Sequence, residues 1–205
     1  MRGRRAGSCG QVQEKKQGTP KRMTLFSLLE APASRRARKA AARALYAAVV
    51  AQARRPLFYS GWQVPDSVDG RFDMLALHLF LLLDRLRAAG PEARRLSQTL
   101  VDIFVQDMDV NLREMGVGDL SVGKRVRKHA AALYGRLDAY RTAMADTDAE
   151  VLVRAVSRNV YRADNGKTAG SAARLAAYMR EQAAFLAGQK NETLIQGEAQ
   201  FNPPG

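Results

Sequence analysis

Apolar residues recur along most of the chain three and four positions apart, the spacing of residues on one face of a helix. No segment shows the alternation of apolar and polar residues that is typical of a half-buried strand. Glycine, proline and short polar stretches divide the chain where helices are expected to begin and end. The pattern therefore predicts an all-α fold, a single compact multi-helix domain of about six or seven helices. The predicted helices cover 24–30, 34–55, 70–89, 91–115, 121–144 and 171–186, with Ser34 as the cap of the second. Another helix is predicted to begin at Asp146 or Asp148 and to end at 161.

The segment MLALHLFLLL at 74–83 is apolar on every face. A helix with this pattern is buried on all sides by its neighbours, so we expect it at the centre of the domain. It is about half as long as a bilayer-spanning helix, and it is the most apolar run in the chain, so no transmembrane span is predicted. His78 lies within it and is expected to bond to a carbonyl or an acid rather than to a metal.

Two carboxylates flank this apolar segment, Asp73 before it and Asp84 after it. Removing an unpaired carboxylate from water is costly. We therefore expect each of them to pair with Arg71, Arg85 or a helix end.

The stretch GVGDLSVGKR at 116–125 raises the question of a nucleotide site, because Gly118, Gly123 and Lys124 stand at the spacing of a Walker A loop. Arg125 occupies the position where that motif needs a magnesium-binding serine or threonine. The motif also follows a buried strand, whereas the preceding residues here recur at helical spacing. We therefore interpret the stretch as a turn between two helices and predict no nucleotide binding.

The residues of this turn are expected to act through the backbone. Gly116 is predicted to end one helix as a left-handed cap. Gly118 and Asp119 are expected to turn the chain, and Ser121 is expected to cap the next helix.

Composition limits the chemistry that the chain can perform. Its single cysteine, Cys9, excludes an intrachain disulfide and a cysteine-cluster metal site. The two histidines, His78 and His129, lack the one-turn spacing that zinc hydrolases use. No serine lies in the G-x-S-x-G context of a hydrolase nucleophile. We therefore predict no catalytic residue, no metal site and no cofactor, that is, a protein that is not an enzyme.

The net charge of +13 is unevenly distributed. Residues 1–22 contain seven basic side chains and one acid, which gives +6, and they show no apolar stripe. We predict a disordered basic arm at 1–22, with Met23 as an alternative start of the protein. The helix predicted at 34–55 begins with several arginines, and Lys124 and Lys128 form another basic patch. Such patches bind nucleic-acid phosphates or anionic lipid, or are solvated, and the sequence leaves these alternatives open.

Two motifs carry a resemblance to a known family, VPDSVDGRFDML at 64–75 and DMDVNLREMGVGDLSVGKRVRK at 107–128. With the residues around them, they resemble the ubiquinol-cytochrome c chaperone family over most of 40–200. We assign the helical chaperone domain to 23–187 and expect a loosely ordered C-terminal tail at 188–205.

The resemblance implies an assembly factor that binds newly made cytochrome b until respiratory complex III, the ubiquinol-cytochrome c reductase complex, is assembled. It also implies a small helical partner subunit, the ribosome exit region and an anionic membrane surface as further partners. The location implied is peripheral to the inner membrane, on the cytoplasmic side in a bacterium or the matrix side in a mitochondrion. The alternative function is a basic RNA- or ribosome-binding helical module. Specific DNA binding is not expected, because no exposed recognition helix stands out.

Residues expected to contact a partner lie at exposed positions of the matching motifs and the loop before them. The first candidate surface comprises Asp109, Arg113, Glu114, Gly116, Val117, Gly118, Asp119, Lys124 and Lys128. The second candidate surface comprises Trp62, Val64, Pro65 and Asp66. Asp109 and Arg113, four positions apart, are also expected to pair on the helix surface. For the glycines and Val117 the alternative is that they serve as helix caps alone.

Overall fold

The computed structural model describes residues 32–116, 118–162 and 166–205. Over these ranges the chain forms eight helices and no strand, and residues Pro32–Gly205 pack as one compact unit. The all-α prediction is therefore confirmed. The helix predicted at 24–30 and the basic arm predicted at 1–22 lie outside the described residues. The helices are α1 (Pro32–Ala53), α2 (Pro56–Ser60), α3 (Val68–Arg87), α4 (Pro91–Glu114), α5 (Asp119–Ala145), α6 (Ala149–Asn159), α7 (Ala169–Ala187) and α8 (Asn191–Ile195).

The central helix, α3, begins where the Ser67 side chain accepts a hydrogen bond from the amide of Gly70 at 3.1 Å. Most of its residues are buried, and it packs against α1, α4, α5 and α7. This confirms that the segment apolar on every face lies at the centre. Past its end, Gly90 adopts a φ of 99°, and Pro91 then begins α4 in the position that suits proline best.

Helices α1 and α4 lie side by side and run in the same direction. Arg38 donates from Nε to Thr99 Oγ1 at 3.1 Å, and further along Tyr46 donates from its hydroxyl to Asp107 Oδ2 at 2.7 Å. Both pairs are 61 positions apart, which requires two parallel helices in constant register. The N-terminal ends of α1 and α4 therefore lie at the same end of the molecule.

Two predicted helix caps are wrong, and one is confirmed. Within the described residues α1 begins at Pro32, so Ser34 lies inside this helix and is not its cap. Gly116 follows α4 with a φ of 77°, as predicted. Gly118, in an extended conformation, is the residue that precedes α5. Ser121 lies inside α5, where its amide donates to the Gly118 carbonyl at 2.8 Å, so it is not the cap.

The aromatic loop between α1 and α3 is held against the core. It also contains α2, which the sequence pattern does not predict because five residues are too few to show a period. The rings of Phe58 and Trp62 meet edge to face at 5.2 Å, and both contact the ring of Tyr178 on α7 at 5.2 and 5.6 Å. These contacts join the loop before α3 to α7.

The segment after α7 is bound to the helices, contrary to the expectation of a loosely ordered tail at 188–205. Gln182 exchanges two hydrogen bonds with the backbone of Asn202, at 3.0 and 3.2 Å. Gln189 does the same with the backbone of Gln200, at 2.7 and 3.0 Å. Side-chain amides satisfy the tail backbone here, so a polar composition does not leave it unbound.

Candidate functional site

Two adjoining cavities lie where the end of α1, the start of α3, the end of α4 and the N-terminal part of α5 meet. The first has a volume of about 330 Å³ and the second about 550 Å³. They share the lining residues Val68, Phe72, Leu112, Met115 and His129. Because of these shared walls they form one surface, which we name the α4–α5 groove.

The floor of the α4–α5 groove is apolar and partly uncovered. Phe72 and Leu112 are buried, whereas Val68 is 59% exposed and Met115 is 52% exposed. Neighbouring large apolar side chains left on a protein surface often mark a binding site. The α4–α5 groove is therefore suited to cover the apolar side chains of another molecule.

Charges in the first cavity balance one another. Its lining includes the carboxylates of Asp107 and Glu114 and the guanidinium groups of Arg54 and Arg71. Asp107 accepts the hydrogen bond from Tyr46, and burial together with this carboxylate raises the pKa of Tyr46 well above its ordinary value. This half of the groove presents a nearly neutral surface beside its apolar residues.

The second cavity is cationic. Arg125, Lys128, Arg136 and Arg162 line it, against the single lining carboxylate of Asp69. Arg125 and Lys128 are exposed, and among the described residues neither forms an ion pair. The charge of the groove therefore changes from nearly neutral in the first cavity to positive in the second.

A buried carboxylate fixes two of these arginines. Asp73 of α3 has no exposed side-chain surface, and it accepts hydrogen bonds from Nε of Arg136 at 2.8 Å and from Nη2 of Arg162 at 2.9 Å. Burial raises the pKa of Asp73 to about 6, and the two guanidinium groups oppose this rise. Arg162 also adopts a φ of 59°, which is uncommon for a residue with a side chain. The cluster joins α3 to α5 and to the residues after α6.

The arginines predicted as partners, Arg71 and Arg85, pair with neither Asp73 nor Asp84. Arg71 pairs instead with Asp66, at 2.7 Å. Arg85 donates to backbone carbonyls near the end of α7, at 2.6 and 2.9 Å. Oδ1 of Asp84 lies 3.3 Å from Nε of Arg87 and 3.8 Å from Nε of Arg141. The true partners of Asp73 lie 63 and 89 positions away, a distance that helical spacing does not reveal.

His78 is part of the core, as predicted. Its Nδ1 donates to the carbonyl of Met74 at 2.8 Å, and its Nε2 lies 2.8 Å from the hydroxyl of Tyr178. Burial lowers the pKa of His78 to about 4. The ring is therefore neutral at physiological pH, and both of its nitrogens are occupied by protein partners.

Part of the first candidate surface lies at the groove. Glu114 lines the first cavity, and Lys128 lines the second. Asp109 and Arg113 lie outside both cavities on α4, where Nε of Arg113 donates to Asp109 at 2.8 Å, as predicted. Lys124 is exposed on the first turns of α5 and lines neither cavity.

The turn between α4 and α5 is described in part. Gly116 and Gly118 are exposed. Val117 lies outside the described residues, and Asp119 is the first residue of α5.

Half of the second candidate surface is buried. Trp62 and Val64 are each 2% exposed, because they pack into the core with Phe58. Pro65 and Asp66 are exposed. The expectation that all four residues form a contact surface is therefore wrong for Trp62 and Val64.

Sequence reasoning missed most of the groove, including its apolar floor. Met115 continues the helical spacing of Met108 and Leu112 past the end of α4, and that spacing alone does not show that Met115 is exposed. An apolar stripe that continues beyond the last residue of its helix is a signal that identifies such an exposed residue. Arg136 belongs to a basic helix face, and nothing in the pattern distinguishes it from solvated neighbours.

The groove offers non-covalent contacts. In the described ranges, no group of three or more histidine, cysteine, aspartate or glutamate side chains is placed to hold a metal ion. None of the described helices combines the length and apolar character that a bilayer crossing requires. Apolar contact and charge are the means by which the groove can recognise a partner.

Comparison with known proteins confirms the resemblance carried by the two motifs. A family model described as Ubiquinol-cytochrome C chaperone matches residues 60–201. The crystal structure of the Cbp3 homolog from Brucella abortus is similar to this chain, with 36% sequence identity and a TM-score of 0.74. The similarity covers 83% of this chain and 93% of that chain. No curated protein sequence matches.

Proposed function

The chain belongs to the ubiquinol-cytochrome c chaperone family, and from this premise we propose that it binds newly made cytochrome b and supports assembly of respiratory complex III. The chaperone holds this client without changing it chemically and releases it when its partner subunits are in place. The observation that carries the proposal is the α4–α5 groove, whose exposed Val68 and Met115 lie within the matched region.

Physical chemistry gives a reason for such a groove. A membrane protein that is not yet assembled exposes apolar side chains, and apolar surface in water drives aggregation. The two cavities, of about 330 and 550 Å³, have the size that accommodates several such side chains. Covering them in the groove lowers the free energy of the unassembled client.

We assign client contacts to the groove and to the turn beside it. Glu114 and Lys128 line the groove itself. The turn contributes Gly116, Val117, Gly118 and Asp119, and its flanks contribute Asp109, Arg113 and Lys124. Pro65 and Asp66, the exposed members of the loop before α3, form a further candidate contact.

A separate basic surface supports contact with an anionic membrane. The parallel packing of α1 and α4 brings their N-terminal halves to one end, where both expose basic side chains. This basic surface comprises Arg35, Arg36, Lys39, Arg43, Arg94 and Arg95. Each basic side chain near an anionic bilayer contributes about 1 kcal/mol of binding. We propose that it keeps the chaperone peripheral to the inner membrane, where it also meets a small helical partner subunit and the ribosome exit region.

Deletion of the gene tests the proposal. The deletion strain is expected to contain less assembled complex III in native gels and less haem-loaded cytochrome b in difference spectra, while transcripts of the complex III genes stay unchanged. Reintroducing the wild-type gene should restore both. Normal complex III in the deletion strain would rule the proposal out.

A second candidate function is a basic RNA- or ribosome-binding module. The observation that favours this function is a group of four exposed basic side chains on the first turns of α5, Lys124, Arg125, Arg127 and Lys128. This module would co-sediment with ribosomes in a manner that weakens steeply with salt, because phosphate binding releases counterions. The double substitution Lys124→Glu and Lys128→Glu would abolish that co-sedimentation while complex III assembled normally. Loss of complex III in a double variant that still binds ribosomes would exclude RNA or ribosome binding as the main function.

A further inference from the structure

We infer that the α4–α5 groove receives an amphipathic helix whose carboxylates face α5, rather than a helix that is apolar on all sides. This inference rests on the proposed function, because it specifies which kind of client segment the groove binds. Two features of the groove carry it: the spacing of the cations on α5 and the position of the apolar residues opposite them.

The cations of the second cavity form one stripe along α5. Arg125, Lys128, Ala132 and Arg136 all line this cavity, at steps of three, four and four residues. Residues at these steps share one face of a helix, and the stripe extends about 16 Å along the axis, or roughly three turns. The small side chain of Ala132 in its middle allows a second helix to approach closely. A docked helix with acids one turn apart matches this stripe.

Apolar residues of the groove lie on the other elements. Val68 and Phe72 belong to α3, Leu112 belongs to the end of α4, and Met115 directly follows α4. A helix lying in the groove therefore meets apolar side chains on one side and cations on the other. Its sequence must combine an apolar face with an acidic edge.

A helix that is apolar on every face fits the groove less well. It would remove Arg125 and Lys128 from water without supplying a counter-charge, and such burial costs free energy. Arg136 and Arg162 do not share this problem, because Asp73 already pairs with both. Arg125 and Lys128 are thus the side chains that select an acidic partner.

An anionic phospholipid is the competing occupant. Its phosphate is compact and can neutralise one end of a stripe that is about 16 Å long. The carboxylates of Asp107 and Glu114 in the first cavity would also repel an anionic headgroup placed there. The extended stripe and the near-neutral first cavity both favour a peptide helix.

Designed peptides test the inference on the full chain. Each peptide has about 18 residues, enough for five turns, and carries one leucine-rich face. The first has three glutamates one turn apart along the edge of that face, the second has glutamines there, and the third has lysines. Fluorescence anisotropy measures their affinities. At low salt we expect the glutamate peptide to bind about tenfold more tightly than the glutamine peptide, with a smaller ratio at high salt.

Charge reversal on α5 provides the complementary arm. The double variant Arg125→Glu/Lys128→Glu should lose the preference for the glutamate peptide and prefer the lysine peptide. A matched control is the double variant Arg127→Glu/Lys190→Glu, which changes the net charge equally at exposed residues that line neither cavity. The control should retain the preference for glutamate.

Three results would overturn the inference. The first is equal affinity of the wild type for the glutamate and glutamine peptides. The second is an equal loss in the control variant, which would show a response to overall charge. The third is displacement of the glutamate peptide by vesicles that contain phosphatidylglycerol but not by vesicles of phosphatidylcholine. If that displacement also depended on Arg125 and Lys128, the stripe would be assigned to lipid. The deletion phenotype is measured separately, so failure of the peptide experiment leaves the proposed function standing. Normal complex III in the deletion strain refutes that function regardless of the peptide affinities.

Discussion

Nε of Arg136 lies 2.8 Å from Oδ1 of Asp73, and this contact joins α5 to the central helix at the second cavity of the groove. The guanidinium group that lines the groove is therefore fixed by a fully buried carboxylate. Stability of the fold and the shape of the candidate binding surface depend on the same pair.

Replacing Asp73 by alanine is expected to destabilise the protein by about 3 kcal/mol, because it leaves the largely buried Arg136 without its counter-charge. Urea unfolding followed by circular dichroism measures the free energy of unfolding. The control is Asp66→Ala, which removes an exposed partner of Arg71 and should leave the midpoint almost unchanged. Equal midpoints for wild type and Asp73→Ala would show that the buried pair does not stabilise the fold.

The stability of the fold should depend on the protonation of His78. Burial lowers its pKa to about 4 in the folded protein, against 6.5 in the unfolded chain, so the unfolded chain takes up this proton first as the pH falls. The contribution is fully present above pH 6.5 and is lost as the pH falls towards 4. Relative to His78→Leu, the wild type should lose on the order of 2 to 3 kcal/mol between pH 7 and pH 4.5.

Urea unfolding of both proteins at the two pH values measures this difference. The comparison between proteins is needed because Asp73 acts in the opposite direction. Its pKa is raised to about 6, so its contribution is present at low pH and is lost as the pH rises from 3.8 to 6. Asp73 is present in both proteins, so its effect cancels. A pH-independent difference between wild type and His78→Leu would contradict the buried, neutral state of His78.

The two glycines of the turn between α4 and α5 should respond differently to substitution. Gly116 has a φ of 77°, so Gly116→Ala is expected to cost about 1 kcal/mol even though the space around it is open. Gly118 has a φ of −60° and precedes α5, so Gly118→Ser places a favourable cap there and should not destabilise. Thermal melting of both variants measures this. Equal loss in the two would show that the left-handed backbone at Gly116 is not what limits substitution.

Gly197 should be required for the tail to pack. A Cβ atom at this position would lie 2.8 Å from the Cα atom of Ala41 and 2.9 Å from its carbonyl oxygen, and the φ of 97° adds strain. Gly197→Ala is therefore expected to cost about 2 kcal/mol and to speed hydrogen exchange at the amide of Asn202, which donates to Gln182. Gly188→Ala is the control, because its Cβ would make an ordinary contact at 3.5 Å. Unchanged exchange in Gly197→Ala would mean that the tail is not bound through this contact.

Local patterns in the sequence were sufficient to predict most of the helices. The continuous apolar run of α3 predicted a buried central helix, and Gly90 with Pro91 predicted the boundary that follows it. These features depend on residues within one or two turns of each other. The helix α2 was not predicted because its five residues are too few to show a period. The bound tail was expected to be loose because the side chains that hold it, such as Gln182, lie elsewhere in the chain.

The candidate site was less predictable for a related reason. A spacing pattern identifies which residues share a helix face but not what lies opposite that face. Trp62 and Val64 stand in a loop motif and are nevertheless buried, whereas Met115 stands on an apolar stripe and is half exposed. The pairing of Asp73 with Arg136 spans 63 positions, so it becomes visible once α3 and α5 are seen side by side.

The most direct test of the central claim is the recovery of cytochrome b with the affinity-tagged protein from detergent-solubilised membranes. Three forms are compared: the wild type, Met115→Asp in the groove, and Tyr134→Asp, which alters a side chain of similar exposure on α5, 55% against 52%, outside both cavities. Circular dichroism and melting temperature should establish that all three fold alike. The account predicts that the wild type and Tyr134→Asp recover similar amounts of cytochrome b and that Met115→Asp recovers about a tenth as much, because a buried unpaired carboxylate opposes binding. Equal recovery with Met115→Asp, or no cytochrome b with the wild type, would contradict it.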